Sequence, residues 1–345
     1  MTAWNPALYG SWFVVAQSRR LKAKPVSITL LDQPLVIARL QSGQLLALDD
    51  CCPHRHAPLS MGCVTAEGLQ CRYHGWTFGA DGHCTSLPGL TPQACKPLAR
   101  VRPVQAMEHD GLIWVKPDAT STPSGARPPD LPAFVSRLPA GTCRFRWSTK
   151  WNARAIDALE NFLDPLHTHF VHPGLVRRDG ARRIVTATVT RQAGVLQVDY
   201  HGQQKQDGWL YRLFESPREL ERAHFAAAAA GSAQLEYRYE DGSALYFTLH
   251  FSPISESLTQ VHGTLHVENR WAPGWAVRML AWPFLRHVAQ QDQEIVQAQA
   301  TNSARFRRAA GISTELDLVR PSLDEVWSQQ SRPLDDGRHS VQILL

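Results

Sequence analysis

The sequence predicts an α+β chain of two domains: an all-β N-terminal domain, then a C-terminal domain with an antiparallel sheet and segregated helices. Three observations carry this. The chain has 345 residues, 43% of them hydrophobic and 19% charged, enough to fill the cores of two ordinary domains. "PDATSTPSGARPPDLP", residues 117–132, is rich in Pro, Ser and Thr and reads as a linker, so the domains are drawn as 1–120 and 121–345. Before it lie short apolar runs broken by turns, and after it helical periodicity flanks a long β-rich span.

In order, "SITLLDQPLVIARLQSGQLLALD" (27–49) reads as strands separated by Asp-Gln-Pro and Ser-Gly turns, and "GLIWVKP" (111–117) as another. Past the linker, Ile156, Leu159, Leu163 and Leu166 recur every three or four residues, which predicts a helix. Residues 183–268 are β-rich, and Asp241-Gly242 between two alternating runs marks a hairpin. The alanine run 226–230 reads as helical or loop filler. From about 274 to 310 a second helix is expected, with Pro283 near its start or at a kink. No internal repeat is visible.

A formal charge of +5 with scattered arginines shows no basic stripe, so nucleic acid is not an expected partner. No run reaches the roughly 18 apolar residues that a membrane helix needs. "LYGSWFVVA" near the start is short and is followed, not preceded, by Arg19-Arg20, unlike a secretory leader. A cytoplasmic chain with reduced thiols is therefore expected. Of seven cysteines, six fall between positions 51 and 95, and such clustering in a reducing compartment points to metal.

Cys52, His54, Cys71 and His74 form two close pairs, Cys-x-His and Cys-x-x-His, with sixteen residues between them. Four such ligands could hold one zinc, or a [2Fe–2S] cluster with thiolates on one iron and imidazoles on the other. Structural zinc sites favour Cys-x-x-Cys knuckles, whereas one Cys and one His in each knuckle fits a Rieske centre. Cys51, Cys63, Cys84, Cys95 and Cys143 fit no ligand position, and His56 reads as orienting the loop.

"ENFLDPLHTHFVHPG" offers Glu160, Asn161, Asp164, His167, His169 and His172. Five residues of straight helix turn through about 140°, so His167 and His172 can share a metal only if the helix loosens between them. Pro165 within the stretch and Pro173-Gly174 after it supply the disturbance. Two imidazoles need a carboxylate to complete a facial triad. In "FLRHVAQQDQEIVQAQ", Asp292 shares a helical face with Val288, Ala289, Ile295 and Val296; Glu294 lies on the other side with Gln290, Gln291 and Gln297. An acid on an apolar face is costly unless paired or metal-bound, so Asp292 is the expected third ligand. Phe162, Phe170, Trp275 and Trp282 read as core.

These motifs resemble those of the Rieske non-haem iron oxygenases. Cys52-Pro-His54-Arg55, then Leu59 and Gly62, then Cys71-Arg-Tyr-His74-Gly75-Trp76 with Phe78 and Gly82, is similar to the family's cluster-binding motif. Asn161, Asp164, His167, His172 and Asp292 are similar to its catalytic-domain pattern. The resemblance implies Cys52, His54, Cys71 and His74 on a Rieske cluster, and iron(II) on His167, His172 and Asp292. It also implies Asp164 as an acid bridging the two metal centres and Asn161 as a neighbouring catalytic residue. The implied protein is the oxygenase component of a monooxygenase, resembling the short demethylating and hydroxylating members, which hydroxylates or O-/N-demethylates an aromatic or heterocyclic organic substrate with O₂. NAD(P)H electrons would come through a separate flavin/iron-sulfur reductase, with or without a ferredoxin, because no Gly-rich dinucleotide fingerprint is present. A homotrimer is implied too. A cis-diol-forming dioxygenase and a Rieske electron-transfer protein are the competing readings.

Overall fold

The computed structural model describes residues 4–91, 98–118, 131–139, 143–177, 182–202, 217–268, 274–308, 311–329 and 335–345. Most of the expected linker, together with Cys95, lies outside them, as does the side chain of Cys143. The chain forms two compact units, one comprising Tyr9–Asp130 and Ser252–Ser255, the other Met1–Leu8, Leu131–Phe251 and Glu256–Leu345.

The chain opens with a single turn, α1 (Pro6–Tyr9), and the described residues of the smaller unit form ten short strands. These are β1 (Phe13–Gln17), β2 (Val26–Leu30), β3 (Gln33–Arg39), β4 (Leu45–Asp49), β5 (Cys63–Thr65), β6 (Gly68–Gln70), β7 (Thr77–Phe78), β8 (Cys84–Ser86), β9 (Gln105–His109) and β10 (Leu112–Lys116). They pair antiparallel in three sheets, ordered β1-β10-β9, β2-β3-β4 and β5-β6-β7-β8. The turn between β2 and β3 falls on Leu31 and Asp32, both at positive φ, and not on the expected Asp-Gln-Pro; Pro34 is already in β3. Val36, Ala38, Leu46, Leu48, Leu59, Leu69 and Phe78 make a core in which Cys52 and Cys71 are themselves packed.

In the larger unit one antiparallel sheet of eight strands dominates. Its strands are β11 (Cys143–Trp151), β12 (Ile184–Gln192), β13 (Val195–His201), β14 (Arg218–Ala226), β15 (Ser232–Tyr239), β16 (Ala244–Ser255), β17 (Leu258–Glu268) and β18 (Gly337–Leu344), in the order β11-β17-β16-β15-β14-β13-β12-β18. The chain is α+β, as expected. The β15–β16 hairpin turns at Asp241-Gly242, with Gly242 at φ +79°. The alanine run closes β14 and makes one tight turn, with Ala226, Ala229 and Ala230 buried. Strands β11 and β18, to which the sequence assigns no element, occupy the two edges.

The helices of this unit among the described residues are α2 (Ala133–Ser136), α3 (Ala155–Leu163), α4 (Thr168–Val171), α5 (Gly274–Phe306) and α6 (Arg320–Trp327). α3 packs on β15, α5 and α6, and α4 on α5. Pro283 lies inside α5, not near its start. No helix among the described residues is long and apolar enough to cross a membrane.

α3 corrects one expectation. It does not loosen between His167 and His172 but ends at Leu163, before either, and Leu166 falls outside it. Asp164 precedes Pro165, whose ring excludes helical backbone from the residue before it, and Asp164 is extended at φ −84°, ψ 118°. The chain then makes the single turn α4, with His167 immediately before it and His172 immediately after. Pro173 and Gly174, the latter at φ +73°, prevent its continuation.

Candidate functional site

In the smaller unit the two Cys/His pairs sit in matching tight loops. The His56 N–H donates to the Cys52 carbonyl and the Gly75 N–H to the Cys71 carbonyl, while Cys52 and Cys71 N–H groups donate to Ala57 and Trp76. Each loop needs one residue at positive φ, His56 at 58° and Gly75 at 74°. A Cβ on Gly75 would also come within 2.8 Å of the Pro88 ring, so this position excludes side chains twice over.

Both thiols are buried, and those of Cys52 and Cys71 lie within hydrogen-bonding reach of each other. Burial, reinforced by the neighbouring Cys71, pushes the Cys52 thiol up to about 11. The rings of His54 and His74 meet edge-on with centroids 4.5 Å apart, and Trp76 stacks flat on His54 at 4.6 Å. His54 Nδ1 is buried with no hydrogen-bond partner among the described residues. Two adjacent buried thiols beside an orphaned imidazole nitrogen are the donor set a [2Fe–2S] cluster would take up. Cys51 and Cys63 are exposed and Cys84 half-buried.

In the larger unit His167, His172 and Asp292 present ligand atoms that all lie within 4.8 Å of one another. Both histidines aim Nε2 at the same oxygen, Asp292 Oδ1, from 3.2 Å for His167 and 2.9 Å for His172. Burial would raise Asp292, but hydrogen bonds from the two imidazoles outweigh it and hold the carboxyl well below its usual range. For His172 burial pulls the other way, and the hydrogen bond to Asp292 carries the ring above its ordinary value. An ionised carboxylate and two imidazoles, converging on one point, fit a divalent cation.

Gln291 is the residue that sequence reasoning missed. Helical phase set it on the opposite side from Asp292, but its side chain reaches round so that Oε1 stands 2.9 Å from His172 Nδ1. That makes Nδ1 the donor, which leaves the Nε2 lone pair for a metal when the ring is neutral. Glu294 is exposed and accepts from Gln290 Nε2 at 3.0 Å, away from the histidines. Val296 is buried, whereas Ile295, placed on the apolar face by sequence, is 47% exposed.

Asp164 Oδ1 accepts the Leu166 N–H at 2.8 Å, and Oδ2 stands 3.9 Å from His167 Nδ1, beyond hydrogen-bond range. Burial raises its carboxyl, with the Leu166 N–H opposing. Glu160 faces away, in an ion pair with Arg320 at 2.6 Å. His169 is buried but outside the group of three, and Asn161 is half-buried on α3 and lines neither cavity that Asp164 lines.

The three candidate ligands open on a cavity of about 130 Å³. Its walls are largely apolar, with Phe162, Leu235, Phe247, Phe284, Leu285 and Val288 among them. Trp282 packs outside it against Phe145 and Trp147, as expected of core. Phe170 and Trp275 do not: both are about two-thirds exposed, at 67% and 69%. Phe170 instead lies under the Arg182 guanidinium, 4.7 Å from its ring centre.

Residues 11–105 match the Rieske [2Fe-2S] domain, and residues 151–320 the vanillate O-demethylase oxygenase C-terminal domain. The chain is similar to the putative toluene-4-sulfonate monooxygenase system iron-sulfur subunit of Comamonas testosteroni, 33% identical over 50% of this chain and 48% of the relative. It is also 33% identical to the oxygenase component of dicamba O-demethylase from Stenotrophomonas maltophilia, over 50% of each. These matches thus span about half the length of the curated relatives. Among solved structures, dicamba monooxygenase bound to 3,6-dichlorosalicylic acid superposes with a TM-score of 0.77, covering 92% of this chain and 96% of that one at 22% identity, which shows a shared fold.

Proposed function

The chain belongs to the Rieske non-haem iron oxygenases, and from that premise we propose that it is the oxygenase component of a monooxygenase that hydroxylates or O-/N-demethylates an aromatic or heterocyclic compound. The observation that carries this reading is the convergence of His167, His172 and Asp292 on the wall of a mainly apolar cavity. Cys52, His54, Cys71 and His74 are assigned to the cluster, within a Rieske domain drawn as 1–120, and the other three to iron(II), within a catalytic domain drawn as 121–345. Bound there, the cluster supplies single electrons and iron(II) supplies activation of O₂. The protein's own side chains do the positioning. Asp292 brings the negative charge, Gln291 sets the His172 tautomer, and the cavity walls exclude water from the reacting face. Asp164 is assigned as the acid linking the two metal centres, and Asn161 as a supporting residue on the same helix.

Relatives named as oxygenase components or subunits of a system support a multi-part enzyme. A separate flavin/iron-sulfur reductase fed by NAD(P)H, with or without a ferredoxin, a homotrimeric assembly and a cytoplasmic location complete the proposal. The test is metal analysis with oxygen uptake, using a surrogate reductase and a panel of methoxylated, N-methylated and heteroaromatic compounds. About three irons per chain and formaldehyde release from a methylated compound are expected. Cis-diol products would instead make it a dioxygenase. Two irons per chain without uptake would leave only an electron-transfer protein.

A further inference from the structure

A second cavity, of about 70 Å³, adjoins the one that carries the three iron-ligand candidates. Both are lined by Leu163, Asp164, Pro165 and Tyr200, which therefore stand between them. The second cavity has a different chemistry. Glu160, Asp164 and Asp317 face it, with no basic residue among its described lining. Leu316 also lines it and is 45% exposed, which puts its mouth at the surface. At about 30 Å³ for each water it has room for about two, with carboxylates and a phenol to bond them.

Tyr200 is the shared group that the protein leaves unsatisfied. It is only 4% exposed, on β13, and its hydroxyl has no hydrogen-bond partner among the described residues. Folded chains seldom leave a buried hydroxyl unpaired, and ordered water is the usual partner where side chains supply none. Burial, with the Glu221 carboxylate adding to it, pushes the phenol well above its ordinary value, so it stays protonated. Such a hydroxyl moves protons only as a relay, taking one on its oxygen as it gives up its own. The other polar groups of the iron-side cavity are differently placed. Glu221 is held by Arg177 and Arg218, and the Thr168 hydroxyl donates to the Pro165 carbonyl at 2.6 Å. Tyr237 lines that cavity but not the second one.

We infer that Tyr200 is a proton relay, carrying protons from water in the acidic cavity into the cavity beside His167, His172 and Asp292. The inference rests on the oxygenase reading, which creates the demand. Monooxygenation of R–H by O₂ takes up two electrons, supplied through the cluster, and two protons, and yields R–OH and water. For each proton relayed, the Tyr200 O–H bond breaks towards oxygen being reduced in the mainly apolar cavity. A new O–H bond forms at the same time from a water on the acidic side, which solvent then reprotonates. No charge stays on the tyrosine. Glu160 keeps its ion pair with Arg320, and Asp317 accepts the Thr314 N–H. These carboxylates act through their field, which draws protonated water into the cavity.

The test compares wild type, Tyr200→Phe and Leu316→Trp, each loaded with cluster and iron. Leu316 lines only the acidic cavity, so the larger side chain fills the water path and leaves the iron side untouched. A crystal structure of the wild type should show ordered water bonded to the Tyr200 hydroxyl. The probe is whichever methoxylated, N-methylated or heteroaromatic compound of the panel gives the fastest oxygen uptake. After rapid mixing of reduced protein with this compound and O₂, product should form about 100-fold more slowly in Tyr200→Phe. Iron content and affinity for the compound should be unchanged. With protons coming directly from bulk water, its rate should also fall about tenfold for each unit rise in pH, while that of wild type stays level. Leu316→Trp should be slowed with Tyr200 intact.

The inference is overturned if Tyr200→Phe keeps the wild-type rate, or is slow with the wild-type pH profile, which would reduce Tyr200 to packing. A Leu316→Trp protein that turns over like wild type overturns it too, as does a Tyr200 hydroxyl bonded to protein and not to water. Should Tyr200→Phe lose its native circular dichroism or its iron, Leu316→Trp and the wild-type structure decide. Failure of the oxygenase reading is distinguishable: wild type itself would then take up no oxygen, whereas failure of the relay alone leaves that uptake intact.

Discussion

Asp292 answers to two opposed forces, burial that favours the neutral acid and two imidazoles that favour the carboxylate, and the imidazoles win. Its charge is what a cation between His167 and His172 would lose in Asp292→Ala, so that variant is expected to purify without the mononuclear iron while its cluster still reduces. Glu294→Ala, two residues along and exposed, should retain iron. Iron per chain and the reduced electron-paramagnetic signal check the pair. If Glu294→Ala loses iron and Asp292→Ala keeps it, the assignment is wrong. Gln291→Leu should weaken iron binding by about 10- to 100-fold, the usual effect of losing the hydrogen bond that orients a ligating histidine; chelator competition reads it directly.

At the scale of elements, α3 is short because Pro165 ends it, and it is held from its side. Arg320 on α6 reaches Glu160 at 2.6 Å and Asp157 at 3.4 Å on α3, and its own helix neighbour Asp324 at 2.9 Å. Asp157 is buried and is also held by Arg154 at 2.7 Å. Removing one member of such a group leaves charge buried without its full set of partners. Arg320→Ala is therefore expected to cost about 3 kcal/mol, at the low end for a broken buried pair because Arg154 remains. Since α3 leads directly into the turn that bears both histidines, iron occupancy should fall with stability. Urea unfolding with parallel metal analysis checks this; a variant as stable as wild type would show that the α3–α6 ion pairs are mere decoration.

On the scale of the whole molecule, acid sensitivity has an identifiable source in the large sheet. Burial would raise Glu236, but His224 at 3.0 Å and Arg238 at 2.6 Å outweigh it and lower the carboxyl from 4.5 to about 2. A carboxyl depressed in the folded state contributes stability above its unfolded value, and that contribution is lost as pH falls from about 4.5 towards 2. Glu236→Gln should be less stable than wild type by about 2 kcal/mol at pH 7, with the gap closing as pH drops through this window. Unfolding midpoints of both proteins at several pH values test it, and a gap independent of pH would reject the ion pair as its origin.

Local chemistry was legible in the chain itself. The Cys/His spacing, the Asp-Gly hairpin, the α+β class and the inward phase of Asp292 each depend on residues close in sequence, where spacing and turn preferences act directly. Position in the fold was not. Pro165 was read as a disturbance, yet where it stopped the helix followed from the extended backbone it imposes on Asp164. Gln291 was assigned to the polar face because helical phase describes where a Cα points and not how far a long side chain reaches. Strands β11 and β18 went unnoticed because edge strands carry little apolar signal of their own and are defined by their partners. Phe170 and Trp275 were taken for core because hydrophobicity alone cannot say which large side chains the packing will leave outside. The wall of the cavity beside the three candidate ligands was likewise invisible, because it is assembled from α3, the strands of the large sheet and α5. Sequence by itself determined which donor side chains this protein carries and how they are spaced; only the tertiary structure decided what stands around them, because strand register and helix ends bring together residues that share no local pattern.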